Sequence, residues 1–232
     1  MSVFHNNALI GSGGGAVADT AANITKSLRF NDDDSAYLSR TPSSAGNRKT
    51  WTFSTWCKQA TPEQAGILLN AQNGTTQSFA DNFWILFYAG TIVVGDGAYD
   101  YLNTDKLRDS SAWYHIVVAC DTTQSSASDR LKIYINGVES TYTGDYRSGI
   151  SQNSDTTINS TYLHKIGDSG SYHVYFDGYL TDTFLIDGSA LDPTSFGAFD
   201  DNGVWQAAAY SGTFGTNGFH LLDFENESTV GH

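Results

Sequence analysis

Cleaving a sugar bond requires paired acids, so the carboxyl groups are the first test of chemistry. Retaining hydrolysis takes two carboxyls about 5–5.5 Å apart, one as nucleophile and one as acid. The chain has four glutamates, Glu63, Glu139, Glu225 and Glu227, and only the last two stand close together. They read as one solvated strand edge. Asp177 precedes Gly178 in a Phe-Asp-Gly turn and Asp182 lies in the strand after it; an Asp before Gly is first a turn former. No catalytic residue is assigned, and the chain is expected not to be an enzyme.

Six histidines (His5, His115, His164, His173, His220 and His232) include no His-x-x-x-His pair and no carboxylate box suited to zinc. His115 and His173 fall within strand patterns, where a hydrogen-bonded structural role is expected. Asp32-Asp33-Asp34 and Asp200-Asp201-Asn202 gather the hard oxygens that calcium takes. Neither has the spacing of a defined calcium loop, and Asp and Asn also build ordinary turns. No metal site and no cofactor are expected, with calcium at one of these clusters the alternative.

Binding a sugar without cutting it needs aromatic rings under the apolar face of a pyranose, with polar groups reading its hydroxyls. Outside the clear core alternation the candidates are Tyr99, Tyr101, Tyr142, Tyr146 and Tyr172, with Trp84 if its sheet face is concave. The competing reading is that some of these rings cover a sandwich edge or pack against a neighbouring subunit.

The elements that must position these residues are strands. Apolar residues alternate in short runs closed by Gly, Asn and Asp, and long helical periodicity is absent. From Trp51 to Lys58, Trp51, Phe53, Thr55 and Cys57 take one face while Thr52, Ser54, Trp56 and Lys58 take the other. Phe83 to Tyr88 is apolar on both faces, as in a central strand. Thr91 to Gly95 follows across Ala89-Gly90. Trp113 to Asp121 and Leu131 to Val138 come next, the latter ending in Asn136-Gly137, a type I′ hairpin signal. Further strands are expected at Tyr162 to Ile166, Val174 to Phe176, Tyr179 to Ile186 and Phe219 to Phe224.

With 232 residues, 40% of them hydrophobic, the chain can bury a sizeable core. A net charge of −13 repels a phosphate backbone, so no nucleic acid is expected as partner. No run of about 18 apolar residues is present, and Met1 to Gly15 lacks the pattern of a secretory signal, so no membrane insertion is expected. Cys57 and Cys120 lie inside apolar runs and read as two buried thiols; a disulfide would need their strands to be neighbours.

Several strings in order carry a family resemblance. Trp113-Tyr114-His115-Ile116-Val117-Val118-Ala119, a variable loop, then Leu131-Lys132-Ile133-Tyr134-Ile135-Asn136-Gly137-Val138 resembles the centre of laminin-G-like (concanavalin A-like) jelly-roll domains. Ser27 to Phe30, Ala36 to Leu38, Trp51 to Trp56, Ile166 to Asp168 and Tyr175 to Leu180 extend it over about residues 26 to 190. Phe184 to Leu191, Thr194 to Gly197, Gly203 to Gln206 and Gly212 to Phe219 are similar to laminin-G-like proteins of tailed bacteriophages. The resemblance implies an all-β, two-sheet antiparallel jelly-roll sandwich. It also implies a place on the outer surface of a virion, as tail fibre or capsid decoration. There the chain would bind host-surface glycan as a homo-oligomer, beside other virion proteins; a subunit whose jelly roll serves assembly alone is the alternative, and a glycan hydrolase the distant one. The expected organisation is a Gly-rich arm at 1–25, the jelly roll at 26–187, and an extension at 188–232 packing on the sandwich or on a neighbour.

Overall fold

The computed structural model describes residues 24–73, 82–96, 99–104, 106–170 and 174–221. All but the last two residues of the expected arm fall outside them, as do His5, Tyr172, His173, Glu225, Glu227 and His232.

The fold is all-β. One antiparallel sheet orders β1 (Leu28–Phe30), β13 (Gly178–Asp187), β3 (Thr50–Gln59), β8 (Tyr114–Asp121), β9 (Leu131–Ile135) and β10 (Val138–Glu139), with β16 (Phe219–Leu221) also paired to β13. The second orders β11 (Tyr142–Asp145), β7 (Tyr99–Thr104), β6 (Thr91–Asp96), β5 (Asn82–Tyr88), β4 (Gly66–Gln72), β12 (Leu163–Ile166) and β2 (Leu38–Arg40). They pack face to face as a jelly-roll sandwich. The alternation expected for Trp51 to Lys58 holds: Trp51, Phe53 and Cys57 point into the main core, with Ile116, Val118, Cys120, Leu180 and Leu185 beside them. Phe83, Ile85, Phe87, Ile92, Val94 and Leu102 answer from the second sheet. Trp51 meets Phe83 edge to face with ring centres 5.2 Å apart, a geometry that aromatic quadrupoles favour.

The hairpin between β9 and β10 turns through Asn136 (φ 49°) and Gly137 (φ 82°), both left-handed as a type I′ turn requires. Cys57 and Cys120 sit on neighbouring strands but in different pairs, opposite Tyr114 and Trp51, and both are free buried thiols. Burial pushes both thiols up, far from the thiolate form.

One expectation shifts, and one strand had none. Val174 to Phe176 forms no strand; only Tyr175 makes a bridge, to Asp168, and β13 begins after the Asp177 turn. β4 was not legible because Gly66 to Gln72 is buried at every position and shows no alternation.

Outside the first sheet lies a third layer. Residues 188–221 carry a small hairpin, β14 (Gly197–Phe199) with β15 (Trp205–Ala207). Phe196, Leu191, Tyr210 and Phe214 pack with Val117, Phe184 and Ile186 into a second apolar cluster. Asp187 anchors the layer: its carboxylate accepts from Asn47 N (2.7 Å), Asn159 Nδ2 (3.2 Å) and Asn217 N (2.9 Å). Three distant loops are thereby tied to the end of β13.

Candidate functional site

Strand register assembles one row across the outer face of the second sheet. Ser39 pairs Lys165, Lys165 pairs Asn70, Asn70 pairs Trp84, Trp84 pairs Gly95, and Gly95 pairs Asp100. Phe83 and Ile85 point into the core, so Trp84 between them points out. The same alternation turns Asn70 out between Leu69 and Ala71, and Asp100 at the end of the row is exposed. Neighbouring strands stand about 4.8 Å apart, so an ammonium, an amide and an indole stand on successive strands, with a carboxyl one strand beyond Gly95. Gly95 leaves one flank of the indole without a cross-strand side chain.

Loop contacts fix the polar members. Lys165 Nζ lies 2.5 Å from Asp168 Oδ2 and 4.3 Å from the centre of the Tyr37 ring. Asn70 Nδ2 donates to Ser169 O (3.0 Å), and Gly170 N donates to Asp168 Oδ1 (2.9 Å). Gly170 has φ 75°, and a Cβ there would come within 2.0 Å of Gln72 Oε1, so the loop lies directly on the sheet. Trp84 is enclosed, with 6% of its surface exposed. Burial raises the Asp100 carboxyl above the ordinary range.

Tyr101, Tyr142 and Tyr146 do not join this row. Tyr101 is buried in the main core beside Leu102, where the β6–β7 register slips, and is a wall of the interior. Tyr99 lies in the same strand. Tyr142 belongs to edge strand β11; its hydroxyl accepts from Ile133 N (3.1 Å) and its ring carries the Arg147 guanidinium at 4.9 Å, so it packs the edge. Tyr146 is 62% exposed beyond that strand. Tyr172 lies outside the described residues. Asn70, Lys165 and Asp100 were missed at the sequence level, although a lone Asn in the apolar run Ile67 to Ala71 was a usable signal.

A cavity of about 220 Å³ opens between the sheets, lined in part by Phe83, Asp96, Tyr101, Cys120, Asp155 and Thr156. Burial raises the Asp96 carboxyl, partly opposed by a hydrogen bond from Tyr101. Asp155 stands 3.5 Å from Arg48. Glu63 and Glu139 lie apart, beside Lys106 and Lys132 respectively.

Among the described residues no three His, Cys, Asp or Glu side chains gather to hold a metal ion. The two acidic clusters fold their own turns: Asp34 accepts from Asn31 Nδ2 (2.6 Å), Asp32 from Gln64 Nε2 (2.7 Å), and Asp200 from the backbones of Asn202 and Val204 (2.9 Å each). His115 and His164 are structural, with both ring nitrogens of each engaged.

The Laminin_G_3 family model, described as Concanavalin A-like lectin/glucanases superfamily, matches residues 31–195, well over half of the chain. The chain belongs to this superfamily. No curated protein matches it. Solved structures of similar fold include a heptameric SAP-like pentraxin from Limulus polyphemus, at 16% identity and TM-score 0.48, covering 74% of this chain and 76% of that one. Another is the CBM40 of a Ruminococcus gnavus sialidase bound to α2,3-sialyllactose, at 14% identity and TM-score 0.43, covering 62% and 88%. A third is domain 4 of a Geobacillus stearothermophilus arabinanase in complex with arabinotriose, at 17% and 0.46, covering 64% and 65%.

Proposed function

We propose that the chain is a non-enzymatic carbohydrate-binding domain on the outer surface of a tailed-bacteriophage particle, where it binds host-surface glycan beside copies of itself and other virion proteins. The observation that carries the binding is the row Lys165, Asn70, Trp84, Gly95 and Asp100, an indole flanked by hydrogen-bonding groups on one sheet face. The virion setting rests on the resemblance of Phe184 to Phe219 to phage proteins. A glycan array and whole-cell pull-down, followed by titration of the pure protein, test the reading. Trp84→Ala and Asp100→Ala are each expected to weaken binding about tenfold or more, as for central contacts in an interface. No binding in all three assays overturns it.

A second reading, glycan hydrolysis, is favoured by the shared cavity of Asp96 and Asp155. Asp96, whose carboxyl burial raises, and Asp155 line the same cavity, and hydrolysis needs two carboxyls in one site. Reducing-sugar release from laminarin that disappears in Asp96→Asn supports hydrolysis; no release from the wild type removes it and leaves binding untouched.

A further inference from the structure

The opposite side of the sandwich carries a second row. On the outer face of the first sheet Arg29 pairs Tyr179 and Tyr179 pairs Lys58. Trp56 pairs His115 and Cys57 pairs Tyr114, so one further step of that register sets Lys58 opposite Trp113. The rings confirm the placement: Trp113 and Tyr179 meet across Lys58 with centres 6.5 Å apart and planes tilted by 58°. The Arg29 guanidinium lies 5.2 Å from the centre of the Tyr179 ring and 2.6 Å from Asp177 Oδ1, a charge contact without hydrogen-bond alignment.

This row is open. Tyr179 is 38% exposed and Trp113 half-buried. The third layer covers His115, Val117, Phe184 and Ile186, further along the same strands. Among the described residues the Tyr179 hydroxyl, the Trp113 indole N–H and the Lys58 ammonium have no hydrogen-bond partner. Lys58 acts on Asp109 only through its charge. Two rings set in a shallow V, with unspent donors between and beside them, suit the apolar face and hydroxyl rim of a pyranose. Two cations, Arg29 and Lys58, face two carboxylates, Asp177 and Asp109, so the patch is locally neutral on a chain of net charge −13. Such a patch has no attraction for an acidic polymer.

The geometry points to a second glycan-binding surface on the first sheet, formed by Trp113, Tyr179 and Lys58 and taking a neutral hexose polymer. It shares with the proposed function the premise that the chain binds glycan, but it uses none of the same residues. Two surfaces on opposite sides of one sandwich would let a single copy bridge two glycan strands, raising avidity without new contacts.

Affinity electrophoresis of the full chain through gels containing laminarin, dextran, mannan or polygalacturonate tests it, with Trp113→Ala, Tyr179→Ala and Trp84→Ala run beside the wild type. Circular dichroism and Tm check that each variant folds. Tyr179→Ala is the safer of the first pair because its ring is the more exposed. The expected result is retardation in at least one neutral gel, with an apparent affinity about tenfold weaker in Trp113→Ala and in Tyr179→Ala. Binding lost only in Trp84→Ala overturns the second surface and leaves the first. Binding lost only in Trp113→Ala and Tyr179→Ala supports it and overturns the Trp84 row. Retardation by polygalacturonate alone, abolished by salt, overturns the neutral ligand. Wild type retarded by none of the four polymers overturns it.

Discussion

The imidazole of His115 lies between strand and cover with both nitrogens occupied. Trp205 Nε1, which can only donate, hydrogen-bonds to Nδ1 (2.9 Å), so the ring's own proton sits on Nε2 facing Ser54 Oγ (2.9 Å). Trp56 stacks on the ring at 5.0 Å. A proton added at Nδ1 would confront the indole N–H. Burial agrees with this geometry and lowers the His115 pKa to about 3. An unfolded histidine titrates near 6.5, so between these values the unfolded chain binds more protons and acid favours it. The contribution is complete above about pH 6.5 and falls as pH drops toward 3, by about 2 kcal/mol at pH 5. Urea unfolding from pH 7 to 5 should show that loss, with His164 adding in the same direction because burial lowers it too. His115→Gln should flatten the slope; an unchanged slope would refute the assignment. Residues of this kind were half legible. A histidine on a strand announced a structural role, while its partner Trp205, 90 positions away, had no sequence signal.

At the scale of elements, the hairpin turn between β9 and β10 was readable because its requirement is local: two left-handed residues in succession, met by Asn136 and Gly137. What that turn supports was not readable. A Cβ at Gly137 would lie 2.2 Å from the Trp205 ring, so the turn is also the seat of the third layer. Gly203 has a similar φ of 75° with open space around it. Gly137→Ala should therefore cost more than the roughly 1–2 kcal/mol of left-handed strain that Gly203→Ala incurs, by about a further 1–3 kcal/mol of steric displacement. Paired denaturation curves decide it, and equal losses would mean that Trp205 moves aside freely. Strands β4 and β7 escaped notice for opposite reasons. β4 is buried throughout and does not alternate, while Tyr101 of β7 invited a binding role that its burial in the core denies.

For the whole molecule, the sandwich was legible from the order of its alternating runs, and an extension after residue 187 packing on it or on a neighbour was expected, but which residues it covers was not readable. Val117, Phe184 and Ile186 point away from the main core, and in an isolated sandwich they would face water. Phe196, Leu191, Tyr210 and Phe214 cover them, while Asn217 binds the Asp187 carboxylate and Arg40 Nη1 donates to Asn217 O (3.0 Å). Burying a large apolar side chain is worth about 1.5–3 kcal/mol, so uncovering three such residues removes an amount comparable with the whole stability of a domain, about 5–15 kcal/mol. The Asp187 carboxylate would lose Asn217 as well. A chain ending at Asp187 should therefore fail to give a soluble monomer, whereas one ending at Leu221 keeps every contact named here and should sediment and melt like the full chain. A soluble, cooperatively folding 1–187 fragment would show that the third layer is an appendage; its aggregation would place the boundary of the folding unit at the end of β16, where the last strand closes on β13.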